Sequence, residues 1–412
     1  MTTTVTKYRV LAGCMLMLTS LGGIYAWSAF VPALQAQHRL TNAQTQLLFG
    51  LTVGLFTLAM NGTGHLQDRR GPRGVALAGA LLYAAGYLVA SRSGGSFPRL
   101  VLGISVLSGL GMACGYVSAL ATSVKWFPHC RGLITGVTVA GYGAGAIVLS
   151  SVATALMNRG MPVLEVFRWM GLVYGAAVLL GALLLATPPA EAQPAVATPH
   201  PAALRDLVRQ REFWALAAGM CGGTLAGLVV IGNLKPIALE AGLGAGVATA
   251  AISALAVGNA GGRVLWGLVF DRRGRRIIPW SLVMLALAVL ALARAAGQAQ
   301  ACLLVALLVG LGYGACLVLY AARIAQVWGA ERLGTVYPTM LLFHGLGALV
   351  GPGLGGALHD ATGSFTWPLL AGGALPLLGA LAVWQLRPPS TERPAPRRGT
   401  EELEALEMEG AP

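Results

Sequence analysis

Val257-Gly258-Asn259-Ala260-Gly261-Gly262-Arg263-Val264-Leu265-Trp266-Gly267 sets a permanent positive charge, Arg263, in an apolar run from about Leu243 to Phe270. A run of that length crosses a bilayer, which needs about 20 apolar residues. Holding an arginine at such depth costs roughly 3 kcal/mol or more, so it must face a bundle interior or a wet cavity and meet an anion. No Asp or Glu occurs within the run. The counter-ion must therefore come from another helix or from a ligand. Glycines at 258, 261 and 262 let a neighbouring backbone come close, as membrane helix packing favours.

The rest of the chain has the same character. Its 412 residues are 56% hydrophobic and 10% charged, against about 25% charged in a soluble globular chain, and its mean hydropathy is +0.70. The net charge of +13 is scattered over short loops, which fits the positive-inside rule and excludes a nucleic-acid stripe. The six cysteines (14, 114, 130, 221, 302 and 316) show no CxxC spacing and read as free thiols rather than as a metal or disulfide framework. Nothing matches a P-loop, a zinc spacing or a nucleophile elbow, so neither an ATP-driven pump nor an enzyme is expected, and no cofactor or metal.

Twelve apolar runs of spanning length, from 10–34 to 365–387, predict an all-α membrane protein. A Pro-, Ala- and charge-rich connector divides them six and six. The expected organisation is a six-helix bundle over 1–187, a cytoplasmic linker over 188–212, a second bundle over 213–387 and a disordered cytoplasmic tail over 388–412. An even span count puts both termini on one side. Lys7, Arg9, Arg69, Arg70, Arg73, Lys125 and Arg272 to Arg276 gather on that side, so both termini are expected in the cytoplasm. A bacterial inner membrane, lipid as the surrounding partner and a monomeric state are expected.

The halves repeat. Gly64-His65-Leu66-Gln67-Asp68-Arg69-Arg70-Gly71-Pro72-Arg73 and Gly267-Leu268-Val269-Phe270-Asp271-Arg272-Arg273-Gly274-Arg275-Arg276 both read G-x-x-x-D-R-R-G-x-R, after the second and eighth spans. Two parallel six-helix repeats with a site between them form a transporter architecture. The chain resembles the major facilitator superfamily, whose second-to-third loop carries this motif. The resemblance implies two pseudo-symmetric bundles and gives Asp68, Arg69, Asp271 and Arg272 a gating role.

Lys125-Trp126-Phe127-Pro128, Arg131-Gly132-Leu133, Ala140-Gly141-Tyr142-Gly143 and Tyr25-Ala26-Trp27 resemble the monocarboxylate porters, and more closely the bacterial oxalate/formate antiporters. Arg263 falls where these families place a carboxylate-binding arginine. Asn259 stands where animal porters carry an aspartate implicated in proton coupling, and His344 where the antiporters carry a second cation. At cage positions the chain has Ile24, Leu317 and Leu341. The resemblance therefore implies a small monocarboxylate of lactate or pyruvate type, moved with a proton taken up at His344. Its carboxylate would lie on Arg263, with Tyr116 and Asn259 orienting it and Ile24, Leu317 and Leu341 around its apolar end. Asn233, Tyr25 and Tyr142 are further binding candidates, with Tyr313 and Tyr320 behind them. The alternative is a carboxylate exchanger of oxalate/formate type, and a carboxylate sensor is a third reading. Lys235, near the extracytoplasmic end of the seventh span, is expected to snorkel to the interface, with attraction of anions to the entrance as the alternative, and Arg323 is expected to be interfacial.

Overall fold

A computed structural model describes residues 2–127, 131–187, 206–329 and 333–386. Residues 188–205 of the linker, the 388–412 tail and Cys130 lie outside the described residues, as does the side chain of Asp68. The described residues form helices joined by short turns and connections, with no strand among them.

The first lobe holds α1 (Thr2–Leu21, wound on as 3₁₀ over Gly22–Ala29 and again as helix over Val31–His38), α2 (Asn42–Arg70) and α3 (Pro72–Ser91). It continues through α4 (Phe97–Leu100, a π stretch over Val101–Ser108, then Gly109–Trp126), α5 (Arg131–Asn158) and α6 (Val163–Trp169, π over Met170–Tyr174, then Gly175–Leu184). The second lobe holds α7 (Arg211–Glu240), α8 (Ala245–Arg273), α9 (Ile277–Ala295), α10 (Ala299–Trp328), α11 (Leu333–Thr362) and α12 (Thr366–Trp384). Among the described residues, ten segments are long and apolar enough to cross a membrane. One of them, Ala245–Ala295, contains both α8 and α9, and α5 adds a further 28 residues of helix, which makes twelve.

The repeated motif has the same backbone use in both lobes. α2 and α8 each stop at their Arg-Arg pair, and the next residue is a glycine at positive φ, 77° at Gly71 and 59° at Gly274. That conformation strains any residue with a Cβ, so glycine is the natural helix stop there.

The lobes meet along α2 and α11, α5 and α8, and α1 and α7. Small residues allow this. A Cβ on Gly50 of α2 would stand 2.8 Å from the Ala348 carbonyl of α11, an oxygen that Pro352 leaves without its helical donor. Inside the second lobe, Gly258 and Gly262 of α8 interleave with Gly310 and Gly314 of α10. A Cβ on Gly314 would lie 2.6 Å from the Asn259 carbonyl and 3.0 Å from the Arg263 nitrogen. Close backbone approach therefore fixes the height and rotation of Arg263.

The face remote from the chain ends, the far face, is sewn shut. α2 opens with a capping box, in which Thr41 Oγ1 accepts from Gln44 N–H and Gln44 Oε1 accepts from Thr41 N–H. The two remaining N–H groups, of Asn42 and Ala43, donate to the Asp360 carboxylate of α11 at 3.1 and 2.7 Å. The exposed donors of one lobe's helix are thus satisfied by the other lobe. Nearby, Pro236 has no N–H, which frees the Gly232 carbonyl of α7; Gln46 Nε2 of α2 donates to it at 2.9 Å.

Candidate functional site

Arg263 emerges from the packed α8–α10 seam half-buried, at the inner edge of both lobes. Its guanidinium lies within electrostatic reach of Tyr25, Tyr116, Tyr142, Tyr313, Tyr337 and His344. Among the described residues no carboxylate pairs with it.

The rings around it form a connected belt. Tyr313 meets Tyr25 edge-on at 6.1 Å, Tyr25 meets Tyr142 at 5.5 Å, Tyr142 meets Tyr116 at 5.4 Å and Tyr116 meets Phe56 at 5.5 Å. Edge-to-face packing holds each ring by its neighbour, and the belt crosses from α10 into α1, α5, α4 and α2. Tyr25 sits on the 3₁₀ stretch of α1, where tighter winding re-aims side chains relative to an α-helix. A wide-open cavity of about 450 Å³, lined by Tyr116 with Met60, Val117, Leu120, Ala121, Val124 and Lys125, lies along α4 toward the face that carries the chain ends. Arg69, Asp271 and Arg272 stand exposed on that face.

His344 of α11 is only 4% exposed. Its Nδ1 faces Thr57 Oγ1 of α2 at 3.5 Å, and its Nε2 faces the Tyr313 hydroxyl of α10 at 3.4 Å. The imidazole thus bridges the lobes through two long contacts to hydroxyls. Asn259, one turn before Arg263, is 2% exposed, and its Oδ1 accepts no hydrogen bond among the described residues. A buried acceptor left unmade is costly, and a ligand donor is one way to satisfy it.

The structure gathers Arg263, Tyr116, Tyr25, Tyr142 and His344, with Asn259 behind them. Ile24 packs in the large cluster with Tyr25 and Tyr142, while Leu317 and Leu341 belong to a second apolar cluster with Met60 and Tyr337. Asn233 lies elsewhere. Its Nδ2 donates to the Val229 carbonyl, and its Oδ1 accepts from Asn42 Nδ2, so it links the two lobes across the far face.

Two sequence expectations need correction. Lys235 does not snorkel: it is 6% exposed and donates to Thr154 Oγ1 of the opposite lobe at 3.0 Å. Arg323 is buried, not interfacial, because Glu212 of α7 pairs with its Nη2 at 2.6 Å and accepts from its Nε at 2.8 Å. Sequence reasoning ranked Tyr313 low and missed Tyr337, Phe56 and Thr57. The one usable signal was the Gly310, Gly312 and Gly314 spacing around Tyr313, which marks a surface pressed against neighbours.

The chain matches the Major Facilitator Superfamily over residues 12–337 and again over 275–408. It is 30% identical to monocarboxylate transporter 11 of Homo sapiens over 369 residues, covering 84% of this chain and 75% of that one. It is 29% identical to the oxalate:formate antiporter of Oxalobacter formigenes over 272 residues, covering 65% and 64%. The fold is similar to that of a bacterial homologue of the human lysosomal transporter Spinster, with a TM-score of 0.74 at 17% identity, covering 94% and 99% of the two chains. The chain belongs to the major facilitator superfamily, in its monocarboxylate porter family, and is a secondary transporter rather than an enzyme.

Proposed function

We propose that this transporter moves a small monocarboxylate of lactate or pyruvate type together with a proton, by alternating access between its two lobes. The observation that carries the reading is Arg263, an intramembrane cation inside a ring of tyrosines, with no protein carboxylate against it among the described residues. A planar guanidinium takes a carboxylate through two parallel charge-assisted hydrogen bonds. The Tyr116 hydroxyl can donate to the same group. The orphaned Asn259 Oδ1 suits a donor on the carbon next to the carboxylate, which favours a 2-hydroxy acid.

His344 is the proposed proton carrier. Beside an unpaired Arg263 a second positive charge is disfavoured, and a bound carboxylate removes that repulsion. Proton and substrate then load together. With both termini in the cytoplasm, as the loop charges favour, the cavity beside Tyr116 opens inward, while Asp68, Arg69, Asp271 and Arg272 latch that face when the lobes rock. The bundle boundaries at 1–187 and 213–387 make the rocking units.

Binding tests the assignment. Lactate should raise the melting temperature of the detergent-solubilised wild type. Arg263→Ala should fold and melt normally but lose that shift, with affinity falling on the order of 100-fold or more, the worth of a bidentate charge-assisted pair. Retained affinity in Arg263→Ala would sink the reading.

A further inference from the structure

Lys235 is a second cation between the lobes, and nothing in the central site uses it. Near the far-face end of α7 it is 6% exposed. Its ammonium donates to Thr154 Oγ1 of α5 at 3.0 Å, and Thr154 Oγ1 also accepts from Thr249 Oγ1 of α8 at 3.3 Å. An ammonium has three donors, and a hydroxyl gives it little charge compensation. No carboxylate pairs with it among the described residues. The acid next along the helix, Glu240, is engaged elsewhere: its Oε2 contacts His359 Nε2 at 2.9 Å, and its Oε1 accepts from Phe365 N–H at 3.3 Å.

A cation buried without a counter-charge is unfavourable, and an apolar side chain in its place is often more stable. Lys235 is therefore poorly explained as a clasp for the closed face. It is better explained by the other state. Thr154 belongs to the first lobe, and Lys235 and Thr249 to the second, so opening the far face must carry Thr154 away and leave the ammonium at the mouth of the path. Thr249 marks that level on α8. Arg263 lies 14 residues further along the same helix, about 21 Å deeper at 1.5 Å per residue. At these two levels of α8, Lys235 is the outer cation and Arg263 the inner one.

We propose that Lys235 is an outer capture site for a small carboxylate anion. It takes the incoming anion when the far face is open, and the Thr154 hydroxyl replaces the anion as that face closes. The inference rests on the carboxylate reading of Arg263. It makes transport asymmetric, because capture acts on substrate arriving from the far face alone.

The test is initial-rate transport of labelled lactate from each face, in full-length protein reconstituted with uniform orientation. Lys235→Met should raise the half-saturating concentration at the far face about tenfold, the worth of a close ion pair in a wet vestibule, and leave the opposite face unchanged. Lys235→Arg should restore it. High salt should shrink the gap between wild type and Lys235→Met. Equal changes at both faces, or none while Arg263→Ala still abolishes transport, would overturn capture without touching the central reading. If the wild type moves no lactate, the central reading fails, and spin-label distances across the far face then decide the role of Lys235. Capture expects Lys235→Met to keep or increase the closed population. A clasp expects it to fall, which would overturn the proposal.

Discussion

Arg263 keeps its charge at any physiological pH, so its fate in an empty cavity is a matter of partners. Tyrosine hydroxyls and ring faces around it soften the burial without neutralising it. Arg263→Lys should therefore bind lactate more weakly than wild type, since an ammonium lacks the planar fork that meets both carboxylate oxygens; equal affinity in a titration would speak against bidentate pairing. Asn259→Leu separates substrates. It removes one acceptor for the 2-hydroxyl, so lactate affinity should fall about fivefold, the worth of one hydrogen bond, while pyruvate, which has no hydroxyl, should be spared. Arg263 and Asn259 stand out in the sequence because an arginine in an apolar run admits few explanations and the second residue lies one turn away. Lys235 and Asn233 misled for a shared reason. Their burial comes from partners 81 and 191 residues distant, and a helix end looks the same in sequence whether lipid or another lobe covers it.

At the scale of the helices, the site is a product of backbone proximity. Gly314→Val should force α10 away from Asn259 and Arg263. Overpacking of this kind costs about 1–3 kcal/mol, so the variant should melt earlier in detergent and lose its stabilisation by lactate. A normal melt would mean that the α8–α10 seam does not fix the arginine. Asp360→Asn keeps the side-chain shape but removes the charge on the α2 N-terminus, a loss of about 1 kcal/mol. Spin-label distances across the far face should then shift toward the open form, and an unchanged distribution would show that the cap does not hold closure. The helices themselves were readable from apolar length and from the motif shared by the turns after α2 and α8. The Asp360 cap was not, since an acidic residue at a helix C-terminus has no local reason to exist; its reason is the start of α2, 318 residues earlier.

For the whole molecule, the claim is that two lobes close alternately around an anion whose charge is balanced before they move. His344 touches both lobes, through Thr57 and through Tyr313, so a change in its charge is felt at the seam that must rearrange. Labelled lactate uptake into proteoliposomes, with acid outside and no carboxylate inside, tests this account most directly. Saturable uptake above the external concentration, collapsed by a protonophore and lost in His344→Gln while lactate exchange persists, is the result expected. Uptake that appears only when a carboxylate is preloaded, indifferent to the pH gradient, would contradict proton coupling and make the chain an exchanger.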